Sequence, residues 1–376
     1  MNDVGFILIG ILGLAVLMVV HEAGHYFAAR AFGMRVTKFS IGFGPPFFRI
    51  VPKDGYFWFA TAMDRVRIRL WRHNPEKHGP TIYQVAMIPF LAYVHIAGMN
   101  PIDEIDPKDK GSYANASVLA RIVTIFGGPL SNYLFASVFF FFAFLFGGKA
   151  AIIHVNGEPN LATYVDVLPG RPAEAAGLRS GDKIVEVGGT PVGSWDEMAK
   201  QISERPGKQT TIVVERDSQR VPLEVTPSDE KGSGKIGVAA HKLEVPVREA
   251  AVLAMTEPPK VVKNLVIGLG QLVTGKAEGE LGGPIRIVKE TAQAAKMGGA
   301  ELMRLLGGLS AYLGAFNLIP FPALDGGRLV FLGYEAATRR RANREIESYI
   351  HAIGLVALLA LVLWVTIFKD IGFGAK

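Results

Sequence analysis

Four stretches of this 376-residue chain, residues 4–29, 122–146, 305–324 and 349–368, stay apolar over the roughly 20 helical residues that a hydrocarbon layer of about 30 Å demands. With 49% hydrophobic residues the chain is too apolar for a water-soluble protein of its length, and its charged residues, 20% of the total, fall mainly between the four stretches. The sequence therefore predicts a polytopic α-helical membrane protein with about four transmembrane helices. The first stretch opens on Asp3 instead of basic residues. It ends in His21, Glu22 and His25, where small cleavage-site residues would stand, so it reads as a retained helix and not as a secretion signal.

The segments between these helices have distinct characters. Residues 1–30 form the first helix and 117–147 the second. Between them, residues 31–116 mix β-branched and aromatic residues with Gly and Pro, as in 37–50, 56–62 and 85–96, which predicts short strands in a membrane-associated β-hairpin region closed by a polar linker over 101–116. A hairpin over 82–97 can enter the membrane only where protein or water covers its backbone groups. Residues 152–243 have short alternating strands, Gly/Pro turns and many charges, which predicts an inserted β-rich soluble domain. Residues 244–300 read as an amphipathic connection interrupted by Pro258 and Pro259; residues 301–324 form the third helix, leading into Asp325, and 348–368 the fourth.

Basic residues gather in two places: the segment after the first helix, with Arg35, Lys38, Arg49, Arg67, Arg69 and Arg72, and the link after the third, with Arg339, Arg340, Arg341 and Arg344. The excess of Lys and Arg on cytoplasmic loops assigns both to that side, and the termini and residues 148–300 to the other. These basic runs flank membrane helices and lack interleaved stacking aromatics, which argues against nucleic acid as a partner. The chain has no cysteine, so disulfides, thiolate metal sites and cysteine nucleophiles are excluded.

His21-Glu22-Ala23-Gly24-His25 is an HExxH motif. On a helix its histidines lie one turn apart on one face, so both imidazoles can reach one metal ion while Glu22 stands beside them as a base. At the end of an apolar run such residues are costly unless they are paired or functional. A zinc site built this way needs a third protein ligand and an open position for water. The strongest candidate is Asp325, in the run Asn317-Leu318-Ile319-Pro320-Phe321-Pro322-Ala323-Leu324-Asp325-Gly326-Gly327-Arg328, where prolines and glycines break the helix. Asp325 reads alternatively as the N-cap of a following helix. Asn132 reads as a helix-to-helix hydrogen bond, and the other histidines as structural or solvated.

Together HEAGH, GGPLSN over 127–132, the segment 164–195 with the layout of a PDZ domain, and NLIPFPALDGGR resemble the site-2 protease family of intramembrane metalloproteases, over nearly the whole chain. The resemblance implies an inner-membrane zinc metalloendopeptidase of regulated proteolysis. It would bind one zinc ion through His21, His25 and Asp325, use Glu22 as general base, and act on transmembrane protein substrates within the lipid bilayer, anti-sigma-factor-like proteins among them. It implies that Asn317 holds the extended substrate backbone, and that Gly127, Pro129 and Asn132 are the packing signature of the second helix. Its PDZ domain, residues 152–243, would bind a peptide or act as a size filter on the extracytoplasmic side, with the active site opening to the cytoplasm. Edge pairing around Tyr93 would help to hold an unwound substrate. The chain departs from the family at Pro89-Phe90-Leu91-Ala92-Tyr93-Val94, where relatives carry a Gly-Gly-Tyr hairpin, and at Arg328, often His in relatives.

Overall fold

In the computed structural model the described residues are 3–61, 66–75, 79–100, 106–155, 158–230, 232–274 and 282–372. Residues 101–105 of the expected linker lie outside them. The chain divides into two compact units, residues 1–143 with 251–376, and residues 144–250.

Among the described residues three helices are long and apolar enough to cross a membrane: α1 (Asp3–Ala31), α2 (Val118–Gly147), and a C-terminal helix over Arg344–Asp370 whose last five residues are π-helical. The third expected span is different. It is a 19-residue helix, α4 (Gly299–Asn317), followed by non-helical residues up to Leu324 and a new helix, α5 (Asp325–Thr338). Two features shorten the apolar run: Glu301 and Arg304 occupy the first two turns of α4, and Pro320 and Pro322 deny the backbone its donors beyond Asn317. What remains, from Leu305 to Asn317, is about 20 Å of helix, less than a bilayer core. A second difference lies upstream, where the helix Val247–Val273 runs through Pro258 and Pro259 without the expected interruption and is followed by α3 (Pro284–Met297).

The helices of the first unit approach closely because small residues face one another. A Cβ on Gly24 of α1 would stand 2.1 Å from the Gly127 carbonyl oxygen of α2, and one on Gly314 of α4 would stand 2.8 Å from the Pro129 carbonyl oxygen. Backbones this close are the usual contact between helices in lipid, where apolar side chains gain nothing over the acyl chains. Two hydroxyls secure the contact: Ser131 donates to the Val20 carbonyl at 2.7 Å, and Ser310 to that of Asn132 at 2.8 Å.

Residues 36–96 form a four-stranded sheet ordered β3 (Arg67–Arg72), β2 (Tyr56–Thr61), β1 (Val36–Lys53), β4 (Ile82–Ile96). The expected short strands and 82–97 hairpin are replaced in part by two long bent strands. Gly42 and Gly44, both at φ +95°, bend β1, so that its first half pairs with Ala92–Ile96 on one side and Ile82–Val85 on the other, while its second half pairs with Tyr83–Ala86. Opposite pairs are Phe39 with Val94 and Ser40 with Tyr93. β4 packs against α1 and brings its last residues beside the HExxH turn.

In the second unit, four strands are ordered Thr190–Pro191, Lys183–Val187, Thr210–Arg216, Gln219–Val225, and Val238–Ala240 pairs with Val165–Val167. The helix Trp195–Ser203, capped by Ser194, places Met198 and Ile202 on a core with Ile184, Val187, Ile212 and Val214. Asp182 of this unit is buried, and its carboxylate accepts two hydrogen bonds from Arg216 at 2.7 Å. Burial pushes this carboxyl up, but the Arg216 guanidinium and the Arg179 N–H outweigh it and hold it below the usual carboxylate range.

Candidate metal centre

The helical period puts His21 and His25 one turn apart on the buried face of α1, and the break after Asn317 turns the chain so that Asp325 begins α5 beside them. Leu324, not Asp325, is the N-cap of that helix, which leaves the Asp325 carboxylate free of the capping role. The Nε2 atoms of His21 and His25 are 3.2 Å apart, and they lie 3.1 and 3.3 Å from Asp325 Oδ2.

This triangle fits a metal ion. Ligands about 2.0–2.1 Å from a tetrahedral zinc stand about 3.3–3.4 Å apart, close to the three observed separations. Asp325 Oδ2 is buried without a hydrogen-bond donor, an arrangement costly for a carboxylate unless a cation completes it. Secondary contacts present the right ring atoms. His25 Nδ1 donates to the Thr124 carbonyl at 2.8 Å, which fixes the tautomer that leaves the Nε2 lone pair available. Asn132 stands 3.2 Å from His21 Nδ1, and its Oδ1 is otherwise unpartnered. An amide's oxygen and nitrogen are told apart by their partners; with Oδ1 turned onto Nδ1–H, His21 likewise offers Nε2. Asn132 thus reaches a histidine on the neighbouring helix, one form of the helix-to-helix bond read from the sequence.

A cavity of about 480 Å³ opens beside these three side chains, lined also by Glu22, Val94, His95, Asn317 and Arg328. Glu22 Oε2 accepts a hydrogen bond from the Val94 N–H at 3.0 Å. Donors for a metal, a carboxylate able to move a proton and an open polar space for water are therefore contiguous.

A family model described as peptidase family M50 matches residues 9–64 and 55–361. The chain belongs to peptidase family M50. As an M50 zinc metalloprotease, of the site-2 protease family, it is similar over nearly its full length to bacterial proteins. It is 30% identical to the zinc metalloprotease RasP of Bacillus licheniformis, over 97% of this chain and 98% of that one. It is 29% identical to Atu1380 of Agrobacterium fabrum, over 96% and 94%. The solved HtrA-type protease AlgW with decapeptide is 15% identical, and the match covers 55% of this chain and 62% of that one at a TM-score of 0.17.

Within this M50 protease the remaining candidates are placed as follows. Asn317, the last residue of α4, lines the cavity, whereas Tyr93 does not; its hydroxyl accepts from Gln84, and the strand meets the cavity through Val94, His95 and Ile96. Gly127 lies against Gly24 and Ala28, and Pro129 sits inside α2. The side chains of Pro89, Phe90 and Leu91, where the hairpin departs from its relatives, and all of His78 lie outside the described residues.

Sequence reasoning missed three contributors. A Cβ on Gly128 would stand 2.3 Å from His25 Nε2 and 2.9 Å from His21 Cε1, so the second glycine of the pair makes the room the imidazoles occupy. His95, read as structural, hydrogen-bonds Thr37 at 2.7 Å and also lines the cavity. His351 accepts from the Ala323 N–H at 2.9 Å and so holds the loop that delivers Asp325; Ala323 has φ +77°, where an alanine needs such support. Only the Gly-Gly pair of GGPLSN carried a signal, since small residues on a membrane helix mark close packing.

Proposed function

We propose that this zinc metalloprotease hydrolyses a peptide bond within transmembrane segments of other membrane proteins, anti-sigma-factor-like substrates among them. The observation that carries the reading is the convergence of His21 Nε2, His25 Nε2 and Asp325 Oδ2 on helices of a membrane-spanning unit. Zinc held by these three residues would supply Lewis acidity, lowering the pKa of water and polarising a scissile carbonyl. Glu22, beside them in the cavity, is placed to take a proton from water and pass it to the leaving amine. Asn317 and the outer edge of β4 around Tyr93 and Val94 hold the substrate as an unwound strand, since an intact helix hides its carbonyls in its own hydrogen bonds.

The basic segments after the first and third spans, both assigned to one side, support an active site opening to the cytoplasm of a bacterial cell, with residues 152–243 on the far side of the inner membrane. That segment acts as a PDZ domain. Its groove between the strand Val238–Ala240 and the helix Trp195–Ser203 is about 420 Å³ and is lined by Leu168, Met198, Ile202 and Val238, which suits an apolar peptide end. Deleting 152–243 separates the two roles such a domain can have: a size filter predicts new cleavage of substrates with intact outer domains, and a recruiting module predicts weaker cleavage of every form.

The central test compares wild type with Glu22→Gln in detergent, measuring zinc content and cleavage of a single-span substrate. One zinc in both proteins, with cleavage lowered about 10²–10⁴-fold in the variant, is the expected result. A variant that cleaves as wild type does, or a wild type without zinc, refutes the assignment.

A further inference from the structure

The single hydrogen bond described for the Glu22 carboxylate is with the Val94 N–H. That donor has a second use. The Ala97 N–H donates to the Arg35 carbonyl, on the β1 side of the strand. Because N–H groups alternate along a strand, those of His95 and Tyr93 point to β1 as well, and that of Val94 points away from it, along the outer edge of β4. β4 ends the sheet order, so no further strand of this chain pairs with that edge among the described residues. A strand joining the sheet beside the zinc ligands would use the Val94 N–H first, since Val94 and Ile96 line the cavity and the Ile96 carbonyl is taken by the Met99 N–H at 3.1 Å.

We infer that Glu22 is latched onto β4: the catalytic base occupies the edge-strand donor that an incoming substrate strand needs, so a substrate releases the base by pairing with Val94. The inference rests on the edge-pairing reading given above. A substrate carbonyl replaces the carboxylate on the N–H, and the freed carboxylate swings toward the water it is to deprotonate. A peptide too short to reach Val94 leaves the latch closed and is cleaved slowly, although its scissile bond is no stronger. The latch thereby ties turnover to strand-forming substrates and keeps the site quiet toward loose peptide ends and water. Val94 acts here through its backbone, as a positioning residue.

The test uses the full-length, zinc-loaded protein in detergent and a peptide strand with a reduced, non-hydrolysable scissile bond. The Glu22 carboxylate band is read by infrared difference between ¹³C-glutamate-labelled wild type and Glu22→Gln, and amide exchange at 92–96 is followed in parallel. The peptide is expected to shift the band in wild type and to slow exchange at 92–96. Val94→Pro removes the outward N–H and spares the ladder to β1, as proline at a strand edge does. In that variant the band is expected at its released position before any peptide is added, and a dipeptide-sized substrate is expected to be cleaved about tenfold faster than by wild type, the scale of losing one charge-assisted hydrogen bond. Slowed exchange at 92–96 with an unmoved band in wild type overturns the latch and leaves edge pairing intact. Unchanged exchange with bound peptide overturns edge pairing itself. A Val94→Pro variant that cleaves the short substrate more slowly shows that the N–H orients the base productively, and also overturns the latch.

Discussion

Gly128→Ala perturbs the candidate metal centre without replacing any of its proposed ligands. The added methyl would stand 2.3 Å from His25 Nε2 and 2.6 Å from His25 Cε1, against an ordinary contact of 3.4 Å or more, so the ring has to retreat by about 1 Å. It cannot do so freely, because Nδ1 is bonded to the Thr124 carbonyl at 2.8 Å, and the same methyl crowds His21 Cε1 at 2.9 Å. Metal–ligand distances tolerate only about ±0.2 Å. A 1 Å retreat therefore costs His25 as a ligand, and zinc affinity should fall by at least about 100-fold, or about 2.7 kcal/mol. Zinc content of the purified protein by atomic emission, followed by competition with a chelator, reads the loss. Gly308→Ala on α4 is the control, since a Cβ there meets nothing within 4 Å and should leave zinc and folding unchanged. One zinc per chain at wild-type affinity in Gly128→Ala would refute the close approach on which the cradle is built.

Asp325→Ala should abolish zinc retention, whereas His351→Leu, which frees the Ala323 N–H and loosens the loop before Asp325, should weaken it about tenfold with helix content unchanged by circular dichroism. Arg121 and Glu335 form a bidentate pair at 3.0 and 2.6 Å, with side chains 8% and 12% exposed, that ties α2 to α5. Arg121→Met should destabilise the protein by about 3 kcal/mol by leaving a buried carboxylate, which exposed Arg341 at 3.3 Å compensates only in part, and Arg121→Met with Glu335→Leu should recover most of the loss in thermal unfolding. In the 144–250 unit, the depressed Asp182 carboxyl contributes stability that is fully present above the unfolded value of about 4 and is lost as pH falls through its lower folded value. Amide exchange of this unit should accelerate on that acid side, and Arg216→Met should flatten the dependence.

Much of the centre was legible in the sequence because it is local. The i→i−4 hydrogen bonds of a helix fix its period, so His21, Glu22 and His25 could be assigned to one turn from spacing alone, and the cost of such residues on an apolar helix marked them as functional. The break before Asp325 was legible from Pro320 and Pro322, which have no N–H to continue a helix. Its extent was not. The third span was expected to reach residue 324, but α4 ends at Asn317, and Glu301 and Arg304 in its first two turns shorten the apolar run further. The sheet was under-read for a related reason: Gly42 and Gly44 look like turn residues, yet in β1 they bend a strand that continues.

The sequence by itself determined that the chain enters membranes, that α1 carries two imidazoles and a carboxylate on one turn, and that a carboxylate follows a helix break some 300 residues later. Only the tertiary structure decided that Oδ2 of Asp325 stands within 3.3 Å of both imidazoles, that Gly128 and Thr124 of α2 make room for His25 and orient it, and that the Val94 N–H holds Glu22. The difference is physical. Spacing along one helix is set by its own backbone bonds, whereas the approach of α1, α2, α5 and β4 depends on which small residues let their backbones come close, and a backbone donor such as Val94 N–H has no side-chain identity for a sequence to display.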